Sequence, residues 1–314
     1  MPRIVLVPLD GSPLGERALP YAEMLAGKGD GGLVLVRAVP YLSRPANDEP
    51  YPTLAAARAA ATREARDYLE GVAARLAARG IVAEIAVLEE DEALGIVGEA
   101  GRRGAGLIAM TTHGRSGLGR WLYGSVAEEV LARAPIPTLL VRAWLPGGGA
   151  ATLGERPRLL VPLDGSPQAE EALPVAEALA DELAAELVLL RAVARPDLPL
   201  APDALLAPLL REELAAEQAE AETYVRGLAE RYAREGRAVQ AVVRVWQPGL
   251  DMAASVIDAV GRERGAALVI MTSGRRTGLE RVVFGSVADA TIRHGTLPVV
   301  LVRPHGDSDT TGTG

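Results

Sequence analysis

The sequence predicts an α/β protein built from two consecutive copies of one doubly wound domain, each with a five-stranded parallel sheet. Short runs of Val, Leu and Ile alternate with longer stretches of helical character, as expected of parallel strands joined by helical crossovers. Several segments also occur twice in the same order. The length of 314 residues is enough for two domains that each bury a core.

The clearest repeat is the segment Val7–Pro13, which returns unchanged at Val161–Pro167. Three further pairs of segments match in the same order: 33–39 with 187–193, 124–127 with 285–288, and 136–142 with 297–303. The offset is 154 residues for the first two pairs and 161 for the last two, so the second copy carries seven more residues. Because chance does not produce four ordered matches, we infer a duplicated domain.

The domain bounds follow from this repeat and from composition. The first copy is predicted to span 1–145 and the second 158–304. The segment 146–157 between them is predicted to be a linker, because it opens with Pro146 and three consecutive glycines. The tail 305–314 is expected to be disordered.

In the first copy, five apolar runs are the predicted strands: Ile4–Leu9, Leu33–Ala38, Val82–Leu88, Leu107–Thr111 and Thr138–Val141. They are continuous rather than alternating, which is typical of strands buried on both faces of a sheet. The predicted helices are Leu14–Ala26, Leu54–Arg79, Leu94–Arg103 and Trp121–Ala132, with a long helix at 204–235 in the second copy. The first helix should start with Ser12 as N-cap and Pro13 in the first helical position, and Ser166 and Pro167 repeat this start.

Composition excludes several classes of function. A net charge of −8 disfavours a nucleic-acid-binding surface. The absence of cysteine excludes disulfides and thiolate metal sites, and three scattered histidines disfavour a zinc site. No apolar run approaches the roughly 18 residues needed to span a bilayer, and a strand-like run starting at Arg3 leaves no room for a signal peptide. We therefore expect a cytoplasmic protein with no metal site and neither nucleic acid nor membrane as a partner.

Two junctions between strand and helix are expected to form a ligand site. The first strand leads to Asp10, and the fourth leads into a glycine-rich connection that reaches a helix at Gly124 and Ser125. Parallel sheets bind ligands beyond the carboxyl ends of their strands, where the strand order reverses. If the first and fourth strands are neighbours, both junctions face one crevice. The glycine-rich turn and helix N-terminus then suit a phosphate, and Asp10 is placed to accept a hydrogen bond from a ribose hydroxyl.

The residues at these junctions resemble the universal stress protein family. Its ATP-binding members carry Gly, two residues, Gly, nine residues, then Gly followed by Ser or Thr, and Thr111, Gly114 and Gly124-Ser125 stand in that register. The start Val-Pro-Leu-Asp-Gly-Ser and the final Pro-aliphatic strand of each copy also resemble family landmarks. The resemblance covers nearly the whole chain.

The resemblance implies a Rossmann-like fold of the adenine nucleotide alpha hydrolase type, with strand order 3-2-1-4-5. It implies ATP as the cofactor, with Mg²⁺ left open, and a role in stress physiology through an unknown protein partner. In the first copy the implied nucleotide-binding residues are Pro8, Leu9, Asp10, Ala38, Thr111, Gly114, Arg115, Gly124, Ser125 and Val126. The candidates in the second copy are Asp164, Ala192, Arg275, Gly285 and Ser286.

The resemblance also implies how the copies assemble. The last strands, 138–141 and 299–302, would be edge strands, and an exposed aliphatic edge is a liability unless it is paired. Family members pair these edges across a dimer, so the two copies are expected to form a pseudo-dimer inside one chain. Dimerisation of the whole chain is left open.

Both copies depart from the ATP-binding pattern. Thr111 stands where those members have their first glycine, and Arg275 stands at the position of Gly114. The arginine either crowds the phosphate path or supplies a charge to it. We expect the first copy to bind ATP and the second to bind it more weakly or to stay empty.

Simpler roles compete with these assignments. Asp10 and Asp164 precede Gly-Ser and suit a plain turn, and His113 suits a loop-structural role better than that of a general base. Neither a Walker-type phosphate loop nor a Gly-x-Gly-x-x-Gly after the first strand is present. No catalytic set of residues is visible, so the alternatives to a nucleotide-responsive binding module are a slow ATPase and a nucleotide-free interaction scaffold.

Overall fold

A computed structural model of the chain describes residues 4–26, 32–39, 52–112, 124–142, 156–195, 206–247, 252–273 and 285–304. The chain forms two compact units that correspond to the two copies, with the main boundary between residues 151 and 152. The finer bounds 1–145 and 158–304 stay predictions. Most of the predicted linker and the tail 305–314 lie outside the described residues.

The strands of the first copy are β1 (Ile4–Pro8), β2 (Gly32–Ala38), β3 (Ala83–Leu88), β4 (Leu107–Thr111) and β5 (Thr138–Val141). They form a parallel sheet in the order β3-β2-β1-β4-β5. The expected strand order is therefore confirmed. The order reverses between β1 and β4, which places the crevice of a doubly wound sheet at their carboxyl ends.

Burial explains why four of these strands appear in the sequence as apolar runs. The side chains of β4 and β5 are all buried, and so are the central residues of β1 and β2. β3, at one end of the order, is mostly half-buried and carries the exposed Glu84. The strand begins at Ala83 rather than at Val82, whose side chain is 78% exposed.

The helices of the first copy are α1 (Leu19–Leu25), α2 (Pro52–Ala77), α3 (Glu92–Arg102) and α4 (Ser125–Arg133). The prediction of one first helix from Leu14 was wrong, because a 3₁₀ turn at Gly15–Ala18 precedes α1. The predicted start of the fourth helix at Trp121 was also wrong. Gly124 has an extended backbone, with φ −62° and ψ 147°, so α4 begins at Ser125.

The second copy repeats this architecture. Its strands are β6 (Arg158–Leu163), β7 (Glu186–Ala194), β8 (Val239–Trp246), β9 (Ala266–Thr272) and β10 (Val299–Val302). They are parallel in the order β10-β9-β6-β7-β8, which is the same topology as in the first copy. Its helices are α5 (Pro167–Glu170), α6 (Leu173–Leu183), α7 (Leu206–Arg234), α8 (Ala253–Glu263) and α9 (Ser286–His294).

The two copies begin their first helical segment differently. In the second copy Ser166 is the N-cap, its hydroxyl accepts a hydrogen bond from the Ala169 N–H at 3.1 Å, and Pro167 is the first helical residue, as predicted. In the first copy the Ser12 hydroxyl accepts the equivalent bond from the Gly15 N–H at 3.1 Å, but the helical turn starts only at Gly15. Glycine is a poorer helix former than alanine, in line with the later start of the helical segment in the first copy.

The long helices carry charged residues along much of their length. Among the residues that the structure describes, no helix is long and apolar enough to cross a membrane.

Candidate functional site

A cavity of about 300 Å³ lies in the first copy at the carboxyl ends of β1, β2 and β4, beside the first turns of α3 and α4. This is the crevice expected from the reversal of strand order. The structure brings eight of the sequence-predicted residues together in its wall: Pro8, Leu9, Asp10, Ala38, Thr111, Gly124, Ser125 and Val126. Gly114 and Arg115, predicted for the same site, lie outside the described residues.

Sequence reasoning missed seven residues of the cavity wall: Gly15, Val36, Glu92, Ile96, Met110, Thr112 and Ala127. A signal existed for Val36, because residues two apart on a strand share one face of the sheet with Ala38. Glu92 and Ile96 are four apart and therefore share one face of α3. Nothing in the sequence indicates that this face of α3 lines the cavity.

The wall combines apolar surface with polar groups. β2 and α3 contribute the buried side chains of Val36 and Ile96, while the segments after β1 and β4 contribute Asp10, Thr112 and the start of α4. Such a mixture suits a small organic ligand that carries both apolar and polar or anionic groups.

Asp10 is held in a tight turn. Its Oδ1 accepts hydrogen bonds from the Ser12 N–H at 2.9 Å and the Ser12 hydroxyl at 2.7 Å. Gly11 has a φ of 84°, a conformation that favours glycine. The turn role considered for Asp10 is therefore present in the structure, and the same half-buried side chain also lines the cavity.

The start of α4 is the natural anion-binding element of the wall. The first N–H groups of a helix have no acceptor within it, and the helix dipole is positive at this end. The Gly124 N–H donates to the Thr112 carbonyl at 2.8 Å, which fixes the approach of the chain to the helix. A Cβ at Gly124 would lie 3.7 Å from that carbonyl oxygen, an ordinary contact. Among the residues that the structure describes, this contact does not require glycine here.

Two carboxylates give the cavity an acidic component. Asp10 and the exposed Glu92, in the first turn of α3, both line it. Within the described residues, no group of three or more His, Cys, Asp or Glu side chains is arranged to hold a metal ion by protein ligands alone.

A polar network lies next to the Asp10 turn. Glu16 accepts hydrogen bonds from the Tyr68 hydroxyl at 2.9 Å and from Arg75 at 2.6 Å. The guanidinium of Arg37 lies 5.2 Å from the Tyr68 ring centroid. Burial, followed by the bond to Glu16, raises the pKa of the Tyr68 hydroxyl, and the charge of Asp10 contributes in the same direction. Tyr68 is therefore a neutral donor that ties α2 to the turn after β1.

The second copy repeats the turn but not its surroundings. Asp164 Oδ1 accepts hydrogen bonds from the Ser166 N–H at 2.9 Å and the Ser166 hydroxyl at 2.5 Å, yet Asp164 is exposed. Gly285 is the extended residue before α9, and its N–H donates to the Ser273 carbonyl at 2.8 Å.

Two further predicted positions of the second copy are Ala192 and Arg275. Ala192 lies in β7, where its pairing partner on β8 is Arg244. Arg275 lies outside the described residues.

Comparison with known proteins identifies the family. The model of the universal stress protein family matches residues 1–142 and 155–303, which is nearly the whole chain in two tandem segments. The chain belongs to the universal stress protein family. The resemblance inferred from the sequence is thereby confirmed for both copies of this tandem universal stress protein.

Relatives among the universal stress proteins match parts of this chain. A protein from Mycobacterium tuberculosis is 28% identical over 211 residues, 63% of this chain and 62% of the relative, so the match spans less than two thirds of its length. A protein from Methanocaldococcus jannaschii is 30% identical over 141 residues, 44% of this chain and 81% of the relative.

Solved structures match this universal stress protein over nearly its full length. A universal stress protein from Archaeoglobus fulgidus aligns with a TM-score of 0.67 and 20% identity, covering 96% of this chain and 98% of that one. A putative universal stress protein from Pseudomonas aeruginosa aligns with a TM-score of 0.60 and 17% identity, covering 96% and 93%. At these identities the likeness shows the fold alone.

Proposed function

We propose that the first copy of this universal stress protein binds ATP and that the bound nucleotide sets a conformation or surface that a stress-response partner reads. The observation that supports this is the cavity at the switch point of the sheet. Its wall combines buried apolar side chains, a carboxylate and a helix N-terminus, which match the base, sugar and phosphates of a nucleotide.

Each part of the wall has a proposed role. The start of α4 at Gly124 and Ser125 receives phosphate through its N–H groups. Asp10 accepts a hydrogen bond from a ribose hydroxyl, and the backbone near Ala38 meets the adenine. Gly114 and Arg115 complete the phosphate side in this proposal, while Pro8, Leu9, Thr111 and Val126 shape the pocket.

Mg²⁺ fits this proposal as a companion of the phosphates. A polyphosphate brings its own oxygen ligands, so a divalent cation on it needs few or no protein ligands. The acidic side chains Asp10 and Glu92 would then face a partly neutralised ligand.

Titration of the whole chain with ATP by calorimetry tests the proposal, together with analysis of small molecules released from the purified protein on denaturation. We expect an adenine nucleotide, identified by mass and absorbance, and saturable binding of ATP. Single-turnover hydrolysis separates this function from a slow ATPase. No nucleotide released and no heat of binding would favour a nucleotide-free scaffold instead.

The assembly and location expected from the sequence belong to the same proposal. Pairing of β5 with β10 within one chain would produce the pseudo-dimer, and a crystal structure of the protein with these strands apart and exposed to solvent would contradict it. Light scattering decides whether the whole chain dimerises further. The cytoplasmic location stays a prediction that fractionation of cells can test.

A further inference from the structure

Gly15 lies against the carboxylate of Asp10 in the wall of the cavity. A Cβ built at Gly15 would stand 2.6 Å from Asp10 Oδ1 and 3.5 Å from its Cγ. The first distance is far inside van der Waals contact, so any side chain at this position requires the carboxylate to move. Gly15 is not among the glycines with positive φ, so the backbone itself does not call for glycine.

Moving the Asp10 carboxylate would cost free energy. Its Oδ1, the atom closest to Gly15, accepts the two hydrogen bonds from Ser12 at 2.9 and 2.7 Å. A displaced Asp10 must weaken those bonds or carry the turn with it. Because Asp10 and Gly15 both line the cavity, the displacement would change the wall where a ligand meets it.

The second copy shows the alternative arrangement. Its equivalent of Gly15 is Ala169, in the otherwise matching stretch Asp-Gly-Ser-Pro-x-x-Glu. Asp164 keeps the two hydrogen bonds to Ser166, but it is exposed, whereas Asp10 is half-buried. The fold therefore tolerates a methyl group at this position, and the aspartate beside it stands farther out in solvent.

We infer that Gly15 is a positioning residue for Asp10. The missing Cβ lets the carboxylate stand in the cavity wall, where it can accept a hydrogen bond from a ligand hydroxyl. Ala169 removes that room in the second copy, which makes the first copy the stronger nucleotide site. The inference rests on the proposed function for its effect on affinity, but its structural part does not.

A double-mutant cycle on the full chain tests the coupling. Gly15→Ala should raise the Kd for ATP about tenfold, equivalent to about 1.4 kcal/mol. In an Asp10→Ala background the same substitution should change the Kd less than about twofold, because residues that act through one another are not additive. Gly71→Ala is the matched control, since Gly71 is an exposed helical residue with nothing within 4 Å of an added Cβ, and its Kd should match the parent.

Several results would overturn the inference. Unchanged ATP affinity in Gly15→Ala, or an equal loss with and without Asp10, removes the proposed coupling. Ala169→Gly gives the reciprocal test and should strengthen binding by the second copy, whereas an unchanged second copy counts against the inference.

A crystal structure of ligand-free Gly15→Ala tests the inference even if the parent binds no ATP and the proposed function fails. A displaced, more exposed Asp10 supports the inference, and an unmoved Asp10 overturns it. Should Gly15→Ala not fold, the ligand-free structure of Ala169→Gly tests the same coupling in the opposite direction. Asp164 moving inward supports the inference, and Asp164 staying exposed overturns it.

Discussion

The first copy holds Asp10 half-buried in the wall of a cavity, whereas the second copy exposes the equivalent Asp164 to solvent. Both side chains make the same two hydrogen bonds to the serine two residues later. The shared motif therefore encodes a turn in both copies, and a ligand-facing carboxylate requires more than the motif. Neighbouring positions such as Gly15 and Ala169 supply the difference.

A second contrast lies on the strand pairs next to the site. Ala38 pairs with Leu88 in the first copy, and Ala192 pairs with Arg244 in the second. Leu88 is buried, whereas Arg244 forms an ion pair with Glu263. The strand position paired with this alanine thus holds a buried apolar side chain in one copy and an ion-paired arginine in the other.

The polar network beside the turn is instead shared. Tyr68 donates to Glu16 at 2.9 Å, and Tyr224 donates to Glu170 at 2.8 Å. A feature that both copies retain, while their ligand-side residues diverge, is better explained by stability than by ligand binding. The two copies therefore separate what the fold needs from what the site needs.

The largest expected difference in ATP affinity between the two copies comes from placing a negative charge at the start of α4 or of α9. Gly124→Asp should raise the Kd for ATP at least about tenfold, or about 1.4 kcal/mol, because it adds bulk and like charge where phosphate is proposed to bind. Gly285→Asp should leave the tighter binding unchanged, with one site per chain in calorimetry. Gly124→Ala is the steric control for the fold, since among the described residues its Cβ would meet the Thr112 carbonyl at 3.7 Å, an ordinary contact.

Gly124→Asp and Gly285→Asp together also test which copy binds ATP. Loss of ATP binding only in Gly285→Asp would show that the second copy is the working one. Two equivalent sites in the parent would remove the asymmetry altogether. Unchanged affinity in Gly124→Asp would remove the proposed phosphate site.

Sequence could predict β1, β2, β4 and β5 because they consist largely of aliphatic residues, and hydrophobicity alone reveals such strands. The motif around Ser12 and Ser166 is identical and predicts the same helix start in both copies, whereas the helical segments start at Gly15 and Pro167. The sequence difference lies three residues after the serine, at Gly15 and Ala169. The motif residues of the site were predictable from local pattern. Glu92 and Ile96 were not, because their place in the wall depends on how α3 packs.

An intermediate effect is expected at the network that both copies share. Tyr68→Phe and Tyr224→Phe should each destabilise their own copy by about 1 kcal/mol through loss of a hydrogen bond. For a domain of this size that lowers Tm by about 3 °C. Calorimetric unfolding curves should show similar losses of stability for the two variants. Their affinity for ATP should be unchanged. A large loss of ATP affinity in Tyr68→Phe alone would instead make this network part of the site.

The same tyrosines predict how stability responds to alkaline pH. Burial, followed by the hydrogen bond to Glu16 or Glu170, raises the pKa of both hydroxyls above the ordinary value of 10.0. The unfolded chain therefore loses these protons first, so their stabilisation is complete below pH 10 and declines as the pH rises above it. Melting curves at pH 8 and above pH 10 should show a smaller decline in Tyr68→Phe and Tyr224→Phe than in the parent. An equal decline in the variants and the parent would mean that other titrating groups cause the loss of stability at alkaline pH.

The smallest expected effect concerns Glu92, whose equivalent at the first helical position of α8 is Ala253. Its carboxylate lines the cavity but is exposed, so its repulsion of a polyphosphate is weakened by water and salt. Glu92→Gln should therefore lower the Kd for ATP only about twofold, and the gain should shrink as salt is raised. Glu70→Gln, an exposed change away from the cavity, is the control for net charge. A weaker affinity in Glu92→Gln would show that this carboxylate supports the ligand, through the ribose or a bound cation, rather than repelling it.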